Sequence, residues 1–173
     1  MAPDFDRFVD GLDYPMFVVT AASGGDRAGC LVGFATQASI DPPRMLVCLS
    51  MANHTYRVAA RAALLGVHAL APQQRELAEL FGGATGDEVD KLARCRWHPG
   101  PGGVPLLEEV PRRLVGRIIS RHELGDHVGF LLEPVAVHAD DTGDGLGYEQ
   151  VEDVEPGHPA GRDGAAETGH RQC

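Results

Sequence analysis

Apolar and polar residues alternate along this chain in short blocks that favour strands over helices. Four blocks rich in apolar and β-branched residues lie before residue 71, and two longer ones follow residue 112. The predicted strands are residues 16–20, 28–34, 44–50, 64–70, 113–122 and 127–138. Turn residues at 23–26 (SGGD) and 124–126 (LGD) join the first and the last pair into antiparallel hairpins.

Helical spacing is confined to shorter segments between these strands. Residues 4–12 place Phe5, Phe8, Val9 and Leu12 on one face, residues 55–63 are helical by composition, and residues 73–81 form an amphipathic helix ended by Gly82-Gly83. Residues 87–94 predict a further helical turn, and the Pro/Gly run at 99–103 predicts a loop. Six strands without a βαβ alternation predict an all-β-dominated fold, a closed or partly open antiparallel barrel with peripheral helices.

The length of 173 residues fits one domain, here placed at residues 1–138. Residues 139–173 carry nine acidic residues, two arginines and seven glycines, and therefore predict a flexible acidic tail. The formal net charge of −10, without a basic stripe, argues against nucleic acid or an anionic membrane as partner. An acidic N-terminus and the absence of a long apolar run favour a soluble cytoplasmic protein.

The cysteines do not suggest a metal site. Cys30, Cys48, Cys95 and Cys173 form no CxxC pair, the close pairing that a zinc site would need. Cys30 and Cys48 lie in apolar strands and are predicted to be buried thiols.

Polar chemistry is concentrated after two of the predicted strands. Residues 33–43 (GFATQASIDPP) turn polar and then meet two prolines, which is also what an exposed edge would look like. Residues 50–57 (SMANHTYR) open a helix, where Asn53 or Thr55 would be a good N-cap. A helix start carries N–H groups and a positive dipole end that favour phosphate, so both loops together would suit a phosphorylated ligand.

The run GCLVGFATQASIDPPRMLVCLSMANHTYRVA resembles the flavin-reductase-like family of FMN-binding split barrels. Further matches follow in order at Phe81, Asp90-Lys91, residues 103–106 (GVPL) and residues 125–127 (GDH), so that the resemblance covers roughly residues 14–138. It implies a six-stranded antiparallel split barrel, Greek-key-like, that forms a homodimer with FMN near the subunit interface.

The resemblance also implies site residues. Residues Thr36, Gln37, Ala38 and Ser39 would line the isoalloxazine edge and ribityl chain of the flavin, while Ser50, Asn53, His54 and Thr55 would hold its phosphate. His127 would lie beside the flavin as the catalytic residue, although a histidine after a tight turn is equally a plain strand start. A flavin supplies the hydride chemistry itself, so no acid/base pair or metal is required.

Other polar residues have simpler interpretations. Trp97 is expected to pack on the rim of the barrel, and His68, inside an apolar strand, to be a satisfied core histidine. Arg57 and Arg61 share a helix face, where they would reach the phosphate, reach a second subunit or remain solvated.

The resemblance implies an NAD(P)H-dependent flavin reductase that uses FMN, or alternatively FAD, and supplies a monooxygenase. The segment before the prolines is shorter than in many flavin reductases, and its Thr36-Gln37 is similar to FMN-binding domains that pass electrons to protein partners. A non-enzymatic FMN electron carrier, a split barrel for another phosphorylated cofactor such as a deazaflavin or pyridoxal phosphate, and an interaction module without a cofactor remain the alternatives.

Overall fold

One curved antiparallel sheet of seven strands forms the body of the molecule, in a computed structural model that describes residues 4–140 and 143–158. The strands are β1 (Phe17–Ser23), β2 (Asp26–Val32), β3 (Ala35–Ser39), β4 (Arg44–Ser50), β5 (Leu64–Ala69), β8 (Arg112–Glu123) and β9 (His127–Ala139). Their order across the sheet is β2-β1-β5-β8-β9-β4-β3, in which pairs such as β1–β5 and β4–β9 join strands distant in sequence. A separate two-stranded sheet contains β6 (Trp97–Pro99) and β7 (Pro105–Leu107).

The sheet encloses an apolar core, as the sequence predicted for a split barrel. Strands β1, β2, β4, β5 and β9 all contribute to one buried cluster, whose largest aromatic side chain is Phe130. Six strands were predicted and the main sheet has seven. The additional strand, β3, has polar, largely exposed side chains because it lies at the edge of the sheet, so no apolar pattern marks it.

Among the described residues, three short α-helices lie outside the sheet: α1 (Phe5–Val9), α2 (His54–Ala59) and α3 (Arg75–Gly83). The helix expected over residues 4–12 is only five residues long, and Phe5 and Phe8 on its apolar face are exposed. Instead of the helical turn expected over residues 87–94, the structure has a 3₁₀ turn over Lys91–Arg94. Within the described ranges, no helix has the length and apolar character needed to cross a membrane.

The small sheet β6–β7 flanks the Pro/Gly segment 99–103 that was expected to be loop and shares only Pro99 with it. Polar contacts fasten this sheet to the barrel. His68, fully buried on β5, faces the Val18 carbonyl through Nδ1 at 3.0 Å and accepts from the Leu107 N–H through Nε2 at 3.0 Å. The Thr20 hydroxyl donates to the Pro105 carbonyl at 2.7 Å. The prediction of a satisfied core histidine is confirmed.

Part of the segment expected to be a flexible tail packs against the barrel instead. Leu146, Tyr148 and Val151 are buried in a second apolar cluster together with Met16 and residues of α3. The Leu146 N–H donates to the Leu70 carbonyl at 2.7 Å, and its own carbonyl accepts from Met16 at 2.8 Å. A few large apolar side chains spaced among glycines and acids are therefore enough to hold residues 143–158, while residues 159–173 lie outside the described part.

Candidate functional site

The end of β4 and the start of α2 bring three of the predicted phosphate-binding residues together. Ser50 is the last residue of β4, Asn53 is the N-cap of α2, and His54 is its first residue. The Asn53 Oδ1 accepts from the Thr55 N–H at 2.9 Å, which confirms the predicted capping role. Ser50 and Asn53 are only 4% and 5% exposed, so a ligand here would meet an almost enclosed polar corner.

The backbone N–H groups of this corner are mostly engaged, contrary to the expectation of unpaired donors at the helix start. The Met51 N–H donates to the Asp126 carbonyl, and those of Ala52 and Asn53 donate to the hydroxyl and the carbonyl oxygen of Ser50, respectively. The N–H groups of Thr55 and Tyr56 donate to Oδ1 and to the carbonyl oxygen of Asn53. The groups that can meet a phosphate are the Ser50 hydroxyl, the His54 N–H and the Asn53 amide, whose nitrogen also lies 3.3 Å from Nε2 of His158 and has a second N–H to donate. Side chains, rather than a free helix terminus, therefore make this corner suitable for an anion.

Thr55 faces inward, not toward a ligand. It is 1% exposed, and its side chain contacts Cys30 in the barrel core. Burial raises the pKa of the Cys30 thiol to about 11, so that this thiol is neutral and chemically quiet. Cys30 is the buried thiol that the sequence predicted, whereas Cys48 is only half-buried.

His127 lies directly beside this corner. It is paired with Ser50 across β4 and β9, and its Nδ1 is 2.7 Å from Oδ1 of Asp126. A carboxylate at that distance fixes the orientation of the imidazole and identifies Nδ1 as the nitrogen turned toward it. The His127 side chain is 16% exposed, enough to be reached at one edge.

A row of aromatic rings continues from His127. The Phe34 ring lies 5.2 Å from the His127 ring and 6.1 Å from the Tyr14 ring, and Tyr14 stacks on Tyr148 at 5.0 Å. These distances are typical of favourable aromatic pairs. The row forms an apolar flank for the Ser50–His127 corner, and it includes Tyr148 from the segment after the barrel.

The second predicted group, Thr36 to Ser39, is farther away. It forms most of edge strand β3, where Thr36 is paired with Leu46 and Ser39 with Arg44 on β4. At about 3.3 Å per residue, Thr36 is roughly 13 Å and Ser39 roughly 20 Å from Ser50 along the strand. In the described chain, residues 37–41 line a shallow depression of their own, separate from a cleft that includes His54. A ligand anchored at Ser50 would meet Phe34 and Thr36 before the rest of β3.

Charged partners hold His54 and Arg57 of α2, and also Arg61 just after this helix. The His54 Nδ1 lies 3.2 Å from the Asp87 carboxylate, which also pairs with Arg57. The Arg57 guanidinium holds the pKa of the Asp87 carboxyl below its usual range. Arg61 pairs with Asp26 at 3.0 Å. Both arginines are therefore engaged in ion pairs within the same chain.

Three residues of the corner were not singled out from the sequence. Phe34 lies in the quoted polar segment, but a lone aromatic gives no sign of its partner. Asp126 was noted as part of a turn and of the match at residues 125–127 (GDH), but it was given no role of its own, although its position directly before His127 is a usable signal. His158, whose Nε2 is 3.3 Å from the Asn53 amide nitrogen, comes from the expected tail and has no sequence signal at all.

Comparisons with known proteins identify the family. The family model of the flavin reductase like domain matches residues 9–154. "FMN reductase (NADH) RutF" of Stutzerimonas stutzeri strain A1501 is 30% identical over 131 residues, which are 76% of this chain and 75% of that protein. The "4-hydroxyphenylacetate 3-monooxygenase reductase component" of Pseudomonas aeruginosa is 28% identical over 132 residues, 76% of this chain and 78% of that protein.

A solved structure of a flavin reductase domain protein has the same fold. The crystal structure of a flavin reductase domain protein from Arthrobacter sp. FB24 superposes with a TM-score of 0.78 at 21% identity, and the match covers 94% of this chain and 98% of that one. The sequence match extends through residue 154, and thus includes the buried Leu146, Tyr148 and Val151. The chain belongs to the family of flavin reductase like domains.

Proposed function

We propose that this protein is an NADH-dependent flavin reductase that binds FMN at the corner formed by Ser50, Asn53 and His127. The observation that carries the proposal is the pairing of Ser50 with His127, which sets a polar anion corner beside an oriented histidine in a chain of this family. The Stutzerimonas relative is named as an FMN reductase that uses NADH, which supports the same flavin and the same reductant.

The residues of the corner fit a flavin mononucleotide. The Ser50 hydroxyl, the Asn53 amide and the His54 N–H supply donors for the phosphate, and hydrogen bonds to charged groups are the stronger class. Phe34 and Thr36 would flank the ring system, and His127, oriented by Asp126, would face its reactive edge or the nicotinamide. The flavin supplies the hydride chemistry, and the protein supplies binding, orientation and exclusion of water.

In this proposal, a second subunit completes the site along β3. Thr36 to Ser39 lie on an open edge, and Ile40 directly after them is 84% exposed. Val135 and Val137 on β9 are also exposed. A second copy that covers these positions would supply the missing wall along β3, so we infer a homodimer. Reduced flavin would then pass to a monooxygenase, as the name of the Pseudomonas relative suggests. A cytoplasmic location is part of the proposal, and the use of NADH as reductant supports it.

Anaerobic mixing of the purified protein with FMN and NADH tests the activity. We expect bleaching of the visible flavin band, continued NADH oxidation when free FMN is in excess, and much slower oxidation with Ser50→Ala. Gln73→Ala, a change at an exposed position outside the corner, is the control. Tightly bound FMN without NADH oxidation would favour the electron-carrier alternative. No uptake of FMN would contradict the proposal and favour another cofactor or none.

A further inference from the structure

Residues 151–158 run from the second apolar cluster back to the Ser50–His127 corner. At the far end of this segment, Nε2 of His158 lies 3.3 Å from the amide nitrogen of Asn53. The family match ends at residue 154, so this contact comes from a part of the chain beyond it. The corner therefore has a neighbour that the family resemblance does not include.

The first half of the segment is fastened to α3. Arg75, the first residue of that helix, donates to both carboxylate oxygens of Asp153 at 2.9 and 2.8 Å, and also to the Gln150 carbonyl. Val154 packs against the second apolar cluster. Because a bidentate pair of arginine and carboxylate has a defined geometry, these contacts fix the direction in which the chain continues.

Gly157 holds the second half of the segment against the loop after α3. Its N–H donates to the Gly82 carbonyl at 3.1 Å. A Cβ atom on Gly157 would lie 2.6 Å from the Thr85 nitrogen and closer still to the carbonyl carbon of Ala84. These are backbone atoms that cannot turn aside as a flexible side chain would, so only glycine allows this approach. The close approach fixes the place of the next residue, His158.

The imidazole of His158 can share a phosphate with the corner. An oxygen that accepts from the Asn53 amide can also lie within hydrogen-bond distance of Nε2, because the two nitrogens are only 3.3 Å apart. Either imidazole nitrogen can carry the proton, so Nε2 can accept from the amide or donate to an anion. His158 is half-buried, whereas Ser50 and Asn53 are almost fully buried. The imidazole therefore lies on the solvent side of the corner.

This cover matters for the choice between FMN and FAD. FMN ends at its phosphate, whereas in FAD the same phosphate continues through a second phosphate to adenosine. FAD therefore needs an open path out of the corner. At residues 157–158 that path is closed by the backbone contact. Past His54 it leads to Asp87 and Glu88, whose negative charge opposes a second phosphate.

We propose that residues 154–158 close the phosphate end of the flavin site, and that His158 is the residue that makes the protein select FMN over FAD. Its imidazole donates to the terminal phosphate of FMN. The contact of Gly157 with residues 84–85 holds the imidazole there and leaves no passage for an adenylate. The inference rests on the proposed function, because it concerns the flavin assigned to this corner.

Equilibrium dialysis of the full-length protein against FMN, FAD and riboflavin, measured by flavin absorbance, tests the proposal. We expect the wild type to bind FAD at least about tenfold more weakly than FMN. His158→Ala should weaken FMN binding about five- to tenfold, the effect of one lost hydrogen bond to a charged group. Riboflavin should be little affected, because it lacks the phosphate that the imidazole contacts.

Gly157→Ala tests the closure itself. Its methyl group meets the backbone of residues 84–85 and displaces residues 157–158. FMN should then bind more weakly, and the ratio of the FAD and FMN dissociation constants should fall to about threefold or less. Gly145→Ala is the matched control in the same C-terminal segment, because a Cβ there makes only an ordinary contact, 3.8 Å from Arg112. Circular dichroism checks the fold of each variant.

Equal affinities of the wild type for FMN and FAD would overturn the proposal, as would an unchanged ratio in folded His158→Ala and Gly157→Ala. An equal loss of FMN and riboflavin binding in His158→Ala would mean a merely structural role for the imidazole and would also overturn it. If the wild type binds no FMN, the proposed function fails as well. If it binds FMN and FAD equally and still oxidises NADH with FMN, only this inference is lost.

Discussion

The imidazole of His127 has three well-defined neighbours in the proposed site. Asp126 holds its Nδ1 at 2.7 Å, the Phe34 ring lies 5.2 Å away, and Ser50 is its partner on the neighbouring strand. The pairing of Ser50 with His127 is made by the backbone, so the His127 side chain can be removed with little effect on the phosphate corner.

We expect His127→Ala to lower kcat for NADH oxidation by roughly 100-fold, the scale of a lost proton-handling group, without loss of FMN affinity. Asp126→Asn should give a smaller loss, because the ring is kept but its orientation is weakened. His138, which pairs with Asp140 at 2.8 Å, provides a matched control in His138→Ala. Steady-state kinetics together with flavin titration measure both quantities, and unchanged turnover in His127→Ala would remove this residue from the mechanism.

At the scale of elements, the attachment of β7 to the main sheet depends on a neutral histidine. His68 on β5 accepts a hydrogen bond from β7 and faces a carbonyl of β1, in complete burial. Burial is the main cause that lowers the pKa of His68 to about 4, from an ordinary value near 6.5. The folded state therefore resists protonation of this ring, while the unfolded state does not.

This predicts a specific loss of stability in acid. Since the pKa of His68 is lower in the folded state, its contribution to the free energy of unfolding is complete above pH 6.5 and falls as the pH drops toward about 4. The total loss is about 3 kcal/mol. Urea unfolding at a series of pH values should show this slope in the wild type and a flatter one in His68→Gln, whose amide does not titrate.

The exposed His98 supplies the control for this series, as His98→Gln. That variant should retain the wild-type pH dependence. Equal slopes in the wild type and in His68→Gln would mean that another group governs acid stability.

Across the whole molecule, strands were predicted best where burial in the core produces a regular pattern of apolar residues in the sequence. β4, β5, β8 and β9 were predicted to within one residue or so, because each carries a run of apolar residues that enters the core. β3 lacks such a run because its side chains face solvent. Residues 143–158 were misjudged because three buried side chains, Leu146, Tyr148 and Val151, gain their burial from distant partners that local composition does not reveal.

The candidate site was predictable to a similar degree. Ser50, Asn53 and His127 are brought together because β4 and β9 pair, and both strands had been predicted. Thr36 to Ser39 followed from the resemblance alone, and their distance from Ser50 depends on a register that the sequence does not encode locally. The contact of His158 with Asn53 depends on the path of the C-terminal segment, which lay beyond the reach of local pattern.

The proposed dimer can be tested on the whole molecule. Sedimentation velocity should show a dimer, in which the proposed second copy covers the exposed Ile40, Val135 and Val137. Val137→Asp should shift the equilibrium toward monomer and weaken FMN binding, because the open edge at β3 would lose its cover. The control is Leu124→Asp in the β8–β9 turn, which is also exposed. A wild-type monomer with full FMN affinity would contradict the dimer.

If Ser50 and Asn53 hold the phosphate of the flavin, as proposed, the affinities of FMN and riboflavin must respond differently to a change in this corner, and comparing them is the most direct test. The variant Asn53→Asp retains the oxygen that caps α2 but replaces the amide donor by a negative charge. Hydrogen bonds to charged groups contribute about 1.5–3 kcal/mol, so FMN should bind roughly 10- to 150-fold more weakly, with riboflavin little changed. Gln73→Glu adds the same charge at an exposed position away from the corner. An equal loss of affinity for both flavins in Asn53→Asp, or no loss of affinity for FMN, would contradict phosphate binding by this corner.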